Sequence, residues 1–182
     1  YSAASIRPKI NKLLKDFLIP FAGKKITTRS VKLFDGCGIQ INNIDNCLKG
    51  LGMEFDPLPV NNFTGGASHA KLKLRSFIKN KIDDYDQMRN EPGADVTSDL
   101  SPYLHFGQIS PVYIALEVLK SNCNSSDAFL EQLIIRRELA MNFTHYNSNY
   151  DNPKSLPAWA RQSLEKHMSD KRQYNYGTKT LE

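Results

Sequence analysis

The stretch that decides the fold is Thr97-Ser98-Asp99-Leu100-Ser101-Pro102-Tyr103-Leu104-His105-Phe106-Gly107-Gln108-Ile109-Ser110-Pro111. A serine stands before a proline twice, at Ser101 and at Ser110, and each pair is typical of an N-cap hydroxyl followed by a proline in the first helical turn. Gly107, which lies between the two pairs, suits a left-handed helix stop. The stretch therefore predicts two short helices that begin at these serines.

Hydroxyl groups are concentrated at the start of the first of these helices. Thr97 and Ser98 come just before Ser101, so hydroxyls, free backbone N–H groups and the positive end of a helix dipole converge on one point. Such a point favours a phosphate group. An ordinary capped loop between two helices has the same local chemistry, and these residues alone leave both interpretations open.

Hydrophobic periodicity predicts further helices on both sides of this stretch. They cover residues 5–18, a segment capped by Ser68, residues 111–121, residues 127 to about 145 with Asp127 as the cap, and residues 157 to about 168. Between residues 20 and 62 glycines and prolines interrupt the pattern, and the alternation from Ile26 to Leu33 could form an edge strand. The predicted fold class is mostly α, with a long irregular connecting segment.

Composition limits the functional classes that the chain can belong to. The 182 residues carry a formal net charge of +5, which is compatible with a polyanionic partner without requiring one. The three cysteines are an odd number without metal-ligand spacing, and the four histidines have no ligand partners at such spacing, so we expect no metal. No apolar run is long enough to span a bilayer, and we expect an intracellular protein without a membrane partner.

The helix predicted after Asp127 combines apolar and polar residues. Advancing 100° per residue places one set of side chains on a single face, namely Phe129, Gln132, Leu133, Arg136, Ala140 and Phe143. A buried glutamine and a buried arginine need polar partners. Either a bound polar ligand or a neighbouring backbone or carboxylate group would supply them.

Several segments of the chain resemble one known family. The residues from Thr97 to Pro111 closely resemble the flavin-binding segment of the DNA photolyase and cryptochrome family, and they look most like the class II cyclobutane pyrimidine dimer photolyases. Similar words follow the family's order along the chain, at residues 6–10, 64–66, 85–92, 131–143 and 157–161. The resemblance is weakest between residues 21 and 63.

The resemblance implies a domain organisation and an activity. It implies a linker helix at residues 1–20, an irregular connecting segment at 21–63, and the N-terminal part of a helical FAD-binding domain at 64–182. A complete relative would bind FAD and split cyclobutane pyrimidine dimers in UV-damaged DNA by electron transfer from reduced flavin. That activity is deoxyribodipyrimidine photolyase, a carbon–carbon lyase.

Further expectations follow from the same resemblance. An antenna chromophore would bind to a domain outside this chain, and the isolated fragment would be inactive and retain little or no FAD. We expect a monomer that acts in the cytoplasm and nucleoid, or in the nucleus of a eukaryote.

The resemblance also assigns site residues. Those implied to bind the cofactor are Tyr85, Thr97, Ser98, Leu100, Ser101, Phe129, Gln132 and Arg136, and Arg89 is implied to contact DNA. Either Arg136 or Arg137 matches the family's arginine, and helix geometry favours Arg136. The family usually has a glutamate that contacts the damaged base pair at the position of Gln132. Gln132 is therefore the lesion-side candidate, although an amide cannot act as a general acid. No catalytic residue is assigned.

Two other functions remain open from the sequence. A cryptochrome-like flavin photoreceptor without repair activity would fit the departure at Gln132. A flavin-free, basic, helical DNA-binding module would fit the composition alone.

Overall fold

The computed structural model describes residues 3–25, 27, 41–52, 60–175 and 177. Within these ranges every regular element is helical and no strand occurs, so the prediction of a mostly α fold is confirmed. The edge strand considered for residues 26–33 lies outside the described residues except for residue 27, and so does Cys37.

The helices follow the chain in a simple order. They are α1 (Ala3–Phe17), α2 (Ile44–Gly50), α3 (Ala67–Asn80), a 3₁₀ turn (Ile82–Asp84), α4 (Tyr85–Met88), α5 (Ser101–His105), α6 (Pro111–Ser121), α7 (Ser126–Leu130), a π-helix (Glu131–Arg136), α8 (Arg137–Tyr146), a second 3₁₀ turn (Pro153–Ser155) and α9 (Ala158–Lys166). α2 lies inside the segment that the sequence predicts to be irregular.

The chain divides into two compact units, one formed by Lys15–Leu130 and the other by Tyr1–Leu14 together with Glu131–Glu182. The core of the first unit includes the apolar faces of α3 and α6. Those faces consist of Ala70, Leu74, Phe77, Ile114, Ala115 and Val118, each at most 1% exposed. Apolar residues at spacings of three and four predict the buried face of α3. In α6 the same spacing favours Val112, Ala115, Leu116 and Leu119, and this prediction is wrong, since Leu119 is 48% exposed and the buried face is formed by Ile114, Ala115 and Val118.

α3 begins two residues earlier than the predicted cap at Ser68 would allow. Gly66 is the N-cap, no side chain caps the helix, and Ser68 lies within its first turn. Gly66 has a φ of +113°, a conformation that side chains bearing a Cβ rarely adopt. Its N–H donates a hydrogen bond of 2.7 Å to Oε1 of Gln108. This long-range contact fixes the start of the helix, and local capping residues do not reveal it.

The two serine–proline pairs of the deciding stretch behave differently. Ser110 is the N-cap of α6, and its hydroxyl accepts a hydrogen bond from the N–H of Tyr113. Ser101 is already the first residue of α5, whose N-cap is Leu100 and which has no side-chain cap. The prediction for Ser110 is confirmed and that for Ser101 is wrong. Gly107 has the predicted left-handed conformation, with a φ of +65°.

The longest helical run extends from Ser126 through the π-helix to Tyr146. It begins at Ser126, so Asp127 lies in the first turn and is not the predicted cap. The π-helix adds a wider turn in the middle of this run. Such turns occur mostly as single-turn insertions within α-helices, frequently at functional sites.

Candidate functional site

Three aromatic rings pack together in the unit Lys15–Leu130. The ring centroids of Phe77 and Phe129 are 4.7 Å apart, and the Tyr85 ring stands edge-on to both, at 5.8 Å from Phe77 and 5.4 Å from Phe129. Edge-to-face contacts of this kind stabilise aromatic pairs beyond the area that they bury. The predicted site residues Tyr85 and Phe129 are thus brought together, with Phe77 of α3 as their support.

Arg89 lies beside the Tyr85 ring of this aromatic cluster and adds a charged group to it. Its guanidinium carbon lies 5.7 Å from the centre of the Tyr85 ring, and its Nη1 donates a hydrogen bond of 3.0 Å to Oδ1 of Asp86. Burial raises the pKa of the Tyr85 phenol above its ordinary value, and the charge of Arg89 offsets part of that rise. The phenol is therefore neutral at physiological pH and can act as a hydrogen-bond donor.

The hydroxyl-rich segment before α5 is held in a tight turn. Asp99 has a left-handed φ of +53°, which asparagine and aspartate adopt more readily than most residues. Oγ1 of Thr97 donates to Oδ1 of Asp99 at 3.3 Å, and the N–H of Leu100 donates to Oγ of Ser98 at 3.4 Å. Thr97 and Ser101 are exposed. Leu100 is 1% exposed and anchors the turn in the core.

A lysine of α3 neutralises the one carboxylate in this segment. Nζ of Lys73 lies 3.2 Å from Oδ2 of Asp99 and 5.2 Å from the centre of the Phe63 ring. Sequence analysis does not identify Lys73 or Asp99 as site residues, because they are 26 residues apart and neither belongs to a capping or catalytic pattern. The ion pair reduces the repulsion that Asp99 would exert on a bound anion.

The segment from Thr64 to Gly66 is tied to the α5 region by two hydrogen bonds. Tyr103 donates its phenol hydrogen to the carbonyl oxygen of Thr64 at 2.8 Å, and Gly66 donates to Gln108 as described above. Two of the segments that resemble the photolyase and cryptochrome family are therefore neighbours in space. An open cleft of about 320 Å³ lies beside them, lined by Asn62, Thr64, His69, Leu72, Lys73, Ser76 and Tyr103.

The π-helix changes the face that the sequence predicts for Gln132 and Arg136. Leu133 and Ile135 are 8% and 3% exposed, Gln132 is half-buried, and the Arg136 side chain is 54% exposed. A single buried stripe running from Phe129 to Phe143 does not form, since Phe143 is 46% exposed. The prediction assumed 100° per residue throughout, and a π-helix winds less per residue. Arg136 is therefore not a buried arginine.

The predicted site residues fall into the two units. Tyr85, Arg89 and Phe129 form one group in Lys15–Leu130, and residues 97–101 form a second group in the same unit. Gln132 and Arg136 belong to the other unit. Among the described residues no cluster of histidine, cysteine, aspartate or glutamate could hold a metal ion.

Comparison with known proteins decides the family. The chain is 37% identical over 182 residues to the protein named Deoxyribodipyrimidine photo-lyase of Methanothermobacter thermautotrophicus, and the alignment covers all of the chain and 39% of that protein. Proteins of the same name from Arabidopsis thaliana and Potorous tridactylus are 38% and 34% identical, and the chain again aligns in full, with 38% and 34% of those proteins. The chain belongs to the deoxyribodipyrimidine photolyase family.

Membership in the photolyase family extends over the whole chain and not only over the motifs. The alignments cover 100% of its residues, including 21–63, where the motif resemblance is weakest. The chain spans less than two fifths of the length of these photolyase relatives. No protein-family model matches the chain. None of the helices in the described ranges is both long and apolar enough to cross a bilayer.

Proposed function

We propose that this chain is part of a class II photolyase that binds FAD and uses light to split cyclobutane pyrimidine dimers in DNA. The observation that carries the proposal is the alignment of all 182 residues with proteins named Deoxyribodipyrimidine photo-lyase, at 34–38% identity. In this proposal residues 1–20 are the linker helix, 21–63 connect it to the flavin domain, and 64–182 form the N-terminal part of that helical domain.

The hydroxyl-rich segment fits the diphosphate of FAD. Thr97, Ser98 and Ser101 supply hydroxyl groups, and the backbone N–H groups of Ser101 and Tyr103 supply donors at the start of α5. Because Ser101 does not cap its helix, its exposed hydroxyl points to a ligand role better than to a capping role. The Lys73–Asp99 ion pair supports the fit, since it neutralises the carboxylate beside the proposed phosphate position.

The family resemblance gives each of the other assigned residues a role beside the flavin ring, the lesion or the DNA. Tyr85 and Phe129 provide apolar ring faces, Gln132 and Arg136 provide polar groups, and Arg89 would reach the DNA backbone. When bound, reduced FAD supplies the electron that opens the dimer, and the damaged bases must leave the duplex to reach it. These side chains orient the partners and exclude water, and none of them needs to move a proton.

The cofactor assignment is tested by titrating the complete protein with FAD and following its visible absorption. The double substitution Thr97→Ala and Ser101→Ala removes two hydroxyl donors to a charged group, and we expect the FAD affinity to fall at least tenfold, since each such bond contributes about 1.5–3 kcal/mol. Ser163→Ala, an exposed serine on α9, is the matched control and leaves the affinity unchanged. An unchanged FAD affinity in the double variant would contradict the phosphate assignment, and a complete protein without bound FAD would favour the flavin-free DNA-binding module.

The repair assignment is tested by illuminating the FAD-loaded protein with dimer-containing DNA. We expect intact pyrimidines to accumulate only in the light. The half-buried, uncharged Gln132 is the one observation that favours a cryptochrome-like photoreceptor instead. Repair that stays at background in both the original protein and the Gln132→Glu variant, while FAD remains bound, would support the photoreceptor.

A further inference from the structure

An ion pair joins the two chain segments that form one compact unit. Nε and Nη2 of Arg7, on α1, donate hydrogen bonds of 3.0 and 2.7 Å to Oε2 and Oε1 of Glu131, the first residue of the π-helix. The two residues are 124 positions apart in sequence. Two parallel bonds between a guanidinium and a carboxylate fix the direction of both groups, which a single lysine contact would not.

A second arginine contacts the same carboxylate from within the π-helix. Nε of Arg136 lies 3.8 Å from Oε1 of Glu131. In an α-helix, residues five positions apart point roughly 140° away from each other, whereas a π-helix pairs residues i and i+5. The Glu131–Arg136 contact is thus specific to the π winding. Arg7 and Arg136 together keep the Glu131 carboxylate ionised, and the hydrogen bond from Arg7 is the main reason that its pKa lies below the ordinary value.

The residue after Glu131 depends on this anchor. Gln132 is half-buried, and the next buried residue is Leu133, which is 8% exposed. With Glu131 held toward α1 and Leu133 held in the interior, the direction in which the Gln132 side chain leaves the helix is fixed on both sides. Among the described residues, Arg7 is the side chain outside the helical run Ser126–Tyr146 that forms an ion pair with Glu131.

We propose that Arg7 and Glu131 are positioning residues that fix the π-helix and thereby aim the Gln132 amide at the damaged base pair. The proposal rests on the lesion-side role of Gln132 given under the proposed function. The Arg7–Glu131 pair itself contacts neither DNA nor flavin, and it acts through the direction of Gln132.

The test uses the complete, FAD-loaded protein and compares its affinity for dimer-containing and undamaged duplexes. Gln132→Ala is expected to reduce the preference for damaged DNA about tenfold, the effect of losing one hydrogen bond in a buried contact. Glu131→Ala and Arg7→Ala are each expected to reduce it to a similar extent, with the affinity for undamaged DNA and the FAD content unchanged. Combining Glu131→Ala with Gln132→Ala is expected to reduce the preference for damaged DNA no further than either substitution alone, because both act on the same contact.

Two controls separate positioning from general damage to the fold. Glu117→Ala breaks an ion pair with Lys120 on α6 and leaves the preference unchanged. Glu131→Gln keeps the volume of the side chain, and it replaces Glu131→Ala should the alanine variant lose its FAD.

The outcomes distinguish the two proposals. If Gln132→Ala reduces the preference and the Arg7 and Glu131 variants do not, the positioning role is wrong and the lesion-side role stands. If Gln132→Ala itself has no effect, the lesion-side role is wrong and the positioning role falls with it.

Discussion

Helices α3 and α6 and the long helical run from Ser126 to Tyr146 illustrate two ways in which an apolar pattern relates to a fold. In α3 and α6 each set of buried residues lies on one face of a regular α-helix, and the apolar pattern predicts that face in α3. In the long run the same reasoning places Arg136 and Phe143 in a buried stripe, yet both are largely exposed. The π-helix in the second region accounts for part of the difference, since it changes the relation between sequence spacing and face, and the exposure of Phe143 goes with an α8 that buries none of its residues.

Deleting one residue from each region would give the largest contrast. Deleting Leu116 rotates the rest of α6 by roughly 100° and removes Val118, which is fully buried, from the core. We expect this deletion to lower the free energy of unfolding by about 4–5 kcal/mol. Deleting Ile134 shortens the π-helix toward ordinary α winding, and we expect a loss of only about 1–2 kcal/mol.

Urea unfolding followed by circular dichroism measures both losses. Equal losses of unfolding free energy in the two deletion variants would mean that the π-helix tolerates a deletion no better than the regular helix α6 does.

Removing a core ring tests the first region more finely. Phe77 is 1% exposed and contacts the rings of Tyr85 and Phe129. We expect Phe77→Ala to destabilise the chain by about 3–5 kcal/mol through lost burial and the cavity that remains. Leu72→Ala on the same helix, where the side chain is 58% exposed, is the control and should change stability by no more than about 0.5 kcal/mol. A small loss of unfolding free energy in Phe77→Ala, measured in the same unfolding experiment, would mean that the remaining aromatic rings repack and fill the cavity.

The two serine–proline pairs give a smaller and more local comparison. Ser110→Ala removes a real cap from α6, and we expect a loss of about 1 kcal/mol. Ser101→Ala removes no capping bond, and we expect a change within about 0.5 kcal/mol. Thermal unfolding of the two variants without FAD checks this difference. Equal losses would restore Ser101 as the cap that its sequence suggests.

The pH dependence of the Arg7–Glu131 pair gives the smallest effect. The hydrogen bond from Arg7 lowers the pKa of Glu131 from its ordinary value of 4.5. A carboxyl group with a depressed folded-state pKa stabilises the fold at pH values above its ordinary pKa, and this contribution is lost as the pH falls through the folded-state value. The difference in unfolding free energy between the original chain and Glu131→Gln should therefore be constant near neutral pH and shrink in acid. A difference that stays the same from pH 7 to pH 3 would mean that the ionised pair does not stabilise the unit.

The candidate site residues that the sequence singles out without the family resemblance are mostly local in the chain. Thr97, Ser98, Leu100 and Ser101 are consecutive or nearly so, and any turn that precedes α5 keeps their hydroxyl and amide groups close together. The packing of Tyr85 against Phe129 required a contact across 44 positions, and only the family resemblance indicated that both belong to one site. The sequence does not indicate the roles of Lys73, Asp99 and Arg7, because a charged residue in a helix or a loop gives no indication of its distant partner.

The sequence by itself determined the helical character of the chain, the apolar face of α3, the cap at Ser110, the left-handed turn at Gly107 and the photolyase family. The helical features depend on residues within one or two turns of each other, where chain geometry leaves few alternatives, and the family depends on segments distributed along the whole chain. Only the tertiary structure decided that Gly66 starts α3, that Lys73 neutralises Asp99 and that Arg7 holds the first residue of a π-helix. Each of these depends on a partner at least 26 positions away, and the energy of such a contact is set by how the whole chain packs and not by local preference.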